Sequence, residues 1–175
     1  MHASTATLEI LINREAIRDV ITRVARGEDR RHAGLLQSAY WPDATIDFGV
    51  MQGGFDDYLG WCVPGSPEIP VTQHSLGQCL IALRGDSAKA ETYVTSYHRI
   101  KAPDGDRDTA MGGRYLDKLE KRDGEWRIAA RTMIYDWDRD LGEAADWSKG
   151  LMGMPFLSDN PTGKSQGDAS EAFFA

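Results

Sequence analysis

MGGRYLDKLEKRDGEWRIAARTMIYDW, residues 111–137, is the stretch on which the fold turns. Residues 111–120 and 126–137 are two runs dense in aliphatic and aromatic side chains, and Arg122-Asp123-Gly124-Glu125 stands between them. Asp-Gly suits the two central positions of a type I′ turn, where both residues need a positive φ. The stretch therefore predicts a β-hairpin. Upstream, residues 76–83 and 88–100 read as two further strands around a tight turn at Gly85-Asp86, the second marked by Tyr93, Val94, Thr95 and Tyr97. A polar loop, APDGDRD at 102–108, leads from them into the hairpin.

Further back the period changes. Thr45-Ile46-Asp47-Phe48 is strand-like, Gly53-Gly54 punctuates, residues 55–62 are amphipathic, and Pro64, Pro67 and Pro70 mark a loop. Before these, Ile17, Val20, Ile21 and Val24 fall at i, i+3, i+4 and i+7, one apolar helical stripe. Thr7 or Asn13 is suited to cap that helix, and Gly27 to stop it. A second short helix is expected over residues 31–39, carrying Leu35 and Leu36 and ended by Pro42-Asp43. Helices first and strands afterwards, without βα alternation, predict an α+β fold with N-terminal helices packed on one face of a curved, mostly antiparallel sheet. Residues 1–140 form the expected domain. Residues 141–175 form an extension whose end, 150–175, is rich in Gly, Pro, Ser and Asp, with a terminal Phe173-Phe174. It is expected to pack over a partner or stay mobile.

The chain has 175 residues, enough for one domain with an adequate core. Its 27 Asp and Glu against 20 Lys and Arg, a net charge of -7, argue against a protein that tracks nucleic-acid phosphates. Near the start the longest apolar run, Ile10-Leu11-Ile12, is too short for a signal core or a membrane span. Cys62 and Cys79 are too few for a disulfide framework and lack metal-ligand spacing. A cytoplasmic protein, with no nucleic acid or membrane as partner, is the expectation. Gly163-Lys164-Ser165 is similar to the end of a phosphate loop, but Ser158 stands where that motif needs glycine. Asn160 is followed by proline, which disqualifies it as a glycosylation acceptor.

Four ionisable residues could carry chemistry: Asp29, His74, His98 and Arg131. Asp29, in Gly27-Glu28-Asp29-Arg30, is most simply a capping or surface carboxylate. His74, in Thr72-Gln73-His74-Ser75, stands at the start of a strand, where a hydrogen-bonded surface histidine is common. In residues 92–98, period 2 groups Thr92, Val94, Ser96 and His98 on one face. If that face lines a cavity, a partly buried imidazole suited to proton transfer sits there. Arg131 alternates with Ala129, Met133 and Tyr135. Buried, it needs a partner, which an anionic substrate or Asp29 could supply; a solvated sheet edge is the alternative. Two histidines and one carboxylate could hold iron(II), but no local spacing selects such a site, so neither metal nor cofactor is expected.

Over residues 11–137 the chain resembles the SnoaL-like branch of the nuclear transport factor 2-like superfamily. The resemblance rests on Asn13-Arg14-Glu15-Ala16-Ile17-Arg18-Asp19, Asp29-Arg30-Arg31, Trp41-Pro42-Asp43-Ala44, Gly112-Gly113-Arg114-Tyr115 and 122–127. It implies a cone-shaped α+β barrel in which helices close a deep pocket over a curved sheet, a C-terminal tail that serves as interface or pocket lid, a homo-oligomer (trimer or dimer), and in many members cofactor-free lyase or isomerase chemistry. Thr72-Gln73-His74, Tyr97-His98 and Asp29 are similar to motifs of scytalone dehydratases. Asp29-Arg30-Arg31, His74 and Arg131 are similar to those of hexachlorocyclohexane dehydrochlorinases. In both groups a His–Asp couple is the base. The sequence also departs from them: Glu28 and Phe48 stand where the dehydratases have tyrosines, and Val24 where the dehydrochlorinases have a lysine.

The resemblance thus implies a dehydratase- or elimination-type lyase acting on a small aromatic or cyclic substrate. His74 would be the base, Asp29 its orienting partner, and His98 or Arg131 the group assisting the leaving group or holding oxyanion charge. Phe48, Tyr58, Trp61, Tyr115, Met133 and Tyr135 are expected to form the apolar wall. Release of formaldehyde from lignin-derived diarylpropanoids by carbon–carbon cleavage, and a non-catalytic ligand-binding module, are the alternatives.

Overall fold

The computed structural model describes residues 5–158 and 162–174 of the chain, so Asn160 and Pro161 lie outside the described residues. Helix α1 (Thr5–Asp29) buries the predicted stripe: Ile17, Val20, Ile21 and Val24 are at most 2% exposed. Asn13 does not cap it. Its side chain lies well inside α1 and accepts from buried Trp126 Nε1 at 2.8 Å, tying the helix to the sheet. Nor does Gly27 end the helix. A Cβ at 27 would come within 2.7 Å of Leu36 Cδ2, so this glycine serves close helix–helix contact and α1 continues through Glu28 and Asp29. α2 (Ala33–Ala39) starts two residues later than expected, because His32 is its N-cap and accepts from the Leu35 N–H through Nδ1 at 3.2 Å.

Strands β1 (Tyr40–Asp47) and β2 (Gln52–Gly54) follow, then helix α3 (Phe55–Cys62). Pro42 falls in the irregular stretch between the Tyr40↔Ile128 and Thr45↔Ala130 pairs, where the missing N–H removes no ladder bond. Four long strands complete the sheet: β3 (Val71–Arg84), β4 (Ser87–Ile100), β5 (Arg107–Arg122) and β6 (Glu125–Glu143). Their order is β2-β1-β6-β5-β4-β3, antiparallel except for β1 beside β6. The α+β prediction is met. The sheet curves without closing, so it is an open cone wall with edges at β2 and β3 rather than a sealed barrel.

The β5–β6 hairpin turns as predicted: Arg122 pairs with Glu125, and Asp123 and Gly124 have φ of 52° and 86°. Its register then slips between Lys118 and Leu119. Unbroken pairing would set Asp117 opposite Ala130; an extra residue in β6 sets it opposite Arg131 instead. That one-residue bulge switches the inward side of β6 from Trp126 and Ile128 to Arg131 and Met133.

Beyond β6 the tail folds back on its own chain rather than standing free. Arg30 donates to the Lys164 carbonyl, the Ser165 N–H to the Pro70 carbonyl, and Arg26 to the Ser170 carbonyl, while the Arg26 guanidinium covers the Phe174 ring at 4.4 Å. No helix among the described residues is long and apolar enough to cross a membrane.

Candidate active site

The end of α1 meets β3 at the base of a cavity of about 270 Å³. Because α1 runs past Gly27, Asp29 is presented to the first residues of β3. Its Oδ2 accepts the His74 backbone N–H at 3.0 Å and its Oδ1 lies 2.7 Å from His74 Nδ1. One carboxylate therefore fixes both the backbone and the ring of His74. With Nδ1–H given to Asp29, the neutral ring carries its lone pair on Nε2. That nitrogen lies 3.6 Å from Glu28 Oε2. Burial opposes the imidazolium form of His74, but the charges of Glu28 and Asp29 outweigh it and hold the pKa above the ordinary imidazole value.

β3 and β4 pair antiparallel with Thr72 opposite His98 and His74 opposite Ser96, and all four side chains line the cavity. This is the face that period 2 assigned to Ser96 and His98. The His74 and His98 rings meet edge to face at 5.9 Å. Burial, together with the neighbouring His74, pushes the His98 pKa down to about 4. Near neutral pH this favours an uncharged imidazole, which can offer a neutral N–H or a lone pair.

Arg131 does not join this group. It is fully buried and forms a bidentate pair with Asp117, Nε to Oδ1 at 2.7 Å and Nη2 to Oδ2 at 2.8 Å. Its guanidinium lies 4.0 Å from the centre of the Tyr115 ring. The expectation that Arg131 meets Asp29 or an anionic substrate is corrected: the bulge in β6 hands it a carboxylate from its own hairpin. The guanidinium that does line the cavity belongs to Arg31, held by the carbonyls of Cys62 and Ile69, each at 3.3 Å.

Of the six apolar wall candidates, Phe48, Trp61, Tyr115, Met133 and Tyr135 line the cavity. Tyr58 does not. It is buried behind the wall, stacked on Phe48, and its hydroxyl donates to Glu28 Oε1 at 2.5 Å. Cys62 reaches the cavity, but burial pushes its thiol up to about 12, so it is no nucleophile at neutral pH. Among the described residues no three His, Cys, Asp or Glu side chains are arranged to hold a metal ion.

Residues 9–132 match the SnoaL-like domain family. The chain belongs to the SnoaL-like family. This SnoaL-like chain is similar to the solved structure of hexachlorocyclohexane dehydrochlorinase LinA type 2, at 21% identity over 79% of this chain and 97% of that one, with a TM-score of 0.71. The LinA type 3 dehydrochlorinase of Novosphingobium barchaimii LL02 shares 20% identity over 87% and 99% of the two chains, with a TM-score of 0.69. A scytalone dehydratase-like protein of Novosphingobium aromaticivorans shares 21% over 77% and 91%, with a TM-score of 0.66. These likenesses establish the fold. No curated protein sequence matches the chain.

Glu28, Arg31 and Thr72 line the SnoaL-like cavity without having been singled out as site residues. Glu28 and Arg31 flank Asp29 in the sequence. Two signals were available for Glu28: the resemblance sets it where scytalone dehydratases have a tyrosine, and a helix carried through Gly27 puts it on the inward side, one residue before Asp29.

Proposed function

We propose that this protein is a cofactor-independent lyase of the elimination type, acting on a small aromatic or cyclic substrate. The observation that carries the proposal is the doubly anchored His74: Asp29 fixes both its backbone and its Nδ1, leaving Nε2 as the base on a cavity-lining ring. Nε2 takes a proton from a carbon next to an electron-withdrawing group. The carbon–hydrogen bond breaks, a carbon–carbon double bond forms, and a β-hydroxyl or other leaving group departs with its bonding pair. Asp29 stabilises the imidazolium produced, which returns the proton to a departing hydroxide to release water. Arg31, in place of Arg131, and the neutral N–H of His98 are the groups for developing oxygen charge. Phe48, Trp61 and Tyr115 hold the ring, and a cavity of about 270 Å³ suits a small substrate.

A β-hydroxy aryl ketone tests this directly. From 3-hydroxy-1-phenylpropan-1-one, elimination gives phenyl vinyl ketone and water, whereas carbon–carbon cleavage gives acetophenone and formaldehyde. The vinyl ketone is the expected product, and His74→Ala should slow its formation by about 10²–10⁴. Unchanged turnover in a folded His74→Ala protein removes His74 from the mechanism.

A further inference from the structure

The cavity contains three buried polar atoms that no protein group satisfies: Glu28 Oε2, Thr72 Oγ1 and His98 Nδ1. Glu28 is the most demanding of them. The residue is 6% exposed, and Tyr58 occupies Oε1, leaving Oε2 with no hydrogen bond and with His74 Nε2 at ion-pair distance only when that ring is protonated. A buried acceptor that loses water and gains nothing is costly, and more so for a carboxylate than for a neutral group. Around it the lining is largely apolar, with Phe48 and Tyr115 nearby in the wall. Oε2 also lies 3.6 Å from His74 Nε2, so a hydroxyl that donates to Oε2 sits beside the nitrogen of the proposed base.

We infer that Glu28 reads a hydroxyl on the reacting end of the substrate, so that the site takes hydroxylated aromatic molecules in preference to their ethers or to ring compounds without a donor. This rests on the lyase proposal for the location of the reacting end and deepens it by naming the substrate class. A hydroxyl fits better than an ammonium group. It can donate to Glu28 Oε2 while accepting from the Thr72 hydroxyl, and it brings no positive charge into a cavity that already holds the Arg31 guanidinium.

Binding of 4-methylphenol, 4-methylanisole and 4-methylbenzylamine, followed by NMR titration of the full chain, tests this without requiring turnover. The phenol should bind about ten- to a hundredfold more tightly than its methyl ether, the range of one hydrogen bond to a charged group. Glu28→Gln keeps the shape and the acceptor for Tyr58, and should bring the ratio close to one. His74→Ala should keep the preference while losing turnover. Equal binding of phenol and ether by the wild type overturns the inference, as does a ratio that persists in Glu28→Gln. Tighter binding of the amine than of the phenol overturns the choice of hydroxyl. Absence of elimination from every β-hydroxy aryl ketone, with the phenol preference intact, defeats the lyase proposal and leaves this inference standing.

Discussion

The Arg131–Asp117 pair and the His74–Asp29 couple hold their partners at the same distance, 2.7 Å, and both are largely shielded from solvent. Their surroundings differ. Arg131 and Asp117 come from facing positions of one hairpin, both carboxylate oxygens are used, and the Tyr115 ring covers the guanidinium. His74 and Asp29 join a helix end to a sheet edge strand, and the free ring nitrogen lies beside an unsatisfied Glu28 oxygen at a cavity. A buried charge costs several kcal/mol unless its partners compensate. In the first pair the hairpin's own carboxylate and the Tyr115 ring offset most of the charge, leaving Arg131 Nη1 unpartnered away from the cavity lining, and the result is architecture. In the second the unpartnered atom, Glu28 Oε2, belongs to a cavity-lining residue, and in the lyase proposal a substrate supplies what is missing.

If that division is right, the two pairs fail in different measurements. Asp117→Ala strands a fully buried guanidinium and should destabilise the fold by about 3–5 kcal/mol in a denaturant titration, while the turnover of each folded molecule changes little. Replacing both partners with apolar residues, Asp117→Leu with Arg131→Met, should recover most of that stability. A single Asp117→Ala protein that keeps its stability but loses turnover would break the comparison. Next in size is Asp29→Asn. The amide can present a donor where the imidazole needs an acceptor, favouring the tautomer that leaves Nε2 protonated. Turnover should fall by roughly 10²–10⁴ with a much smaller stability change. If stability falls as far as turnover, Asp29 is acting as a structural anchor for β3.

The same contrast explains what the sequence made legible. The α1 stripe, the Asp-Gly hairpin and the order of helices before strands follow from local periodicity and turn chemistry, and each is present. His74 and His98 share a face because period 2 holds through β3 and β4 at those positions. Arg131 was misplaced because its partner depends on a single extra residue in β6, and no pattern in Ala129-Ala130-Arg131 announces a bulge. Glu28 stands where the dehydratases have a tyrosine but was not singled out as a site residue, because Gly27 looked like a helix stop, when its missing side chain makes room for Leu36. Tyr58 looked like pocket wall because an amphipathic helix does not reveal which of its aromatics faces the cavity and which lies behind it.

The smallest expected effect is a change in pH dependence, and its sign separates the couple from the pair. His74 must be neutral to act as a base, and its pKa is held above the ordinary 6.5 because the charges of Glu28 and Asp29 outweigh burial. The rise of kcat/KM with pH should therefore follow a pKa above 6.5. Glu28→Gln removes the stronger of the two raising charges, so that rise should move to lower pH. Stability should run the other way over the same window. A histidine with a raised folded pKa contributes stability that is fully present below the unfolded value and is lost as pH rises through the folded one. In the lyase proposal, deprotonating His74 thus switches on the base while giving up part of the fold's stability. Arg131, whose pKa is pushed further above its already high value by Asp117 despite burial, contributes nothing to this window. Rate and thermal stability measured together from neutral to mildly alkaline pH should move in opposite directions in the wild type. In Glu28→Gln both changes should shift to lower pH; a rate profile that stays in place would detach Glu28 from the base.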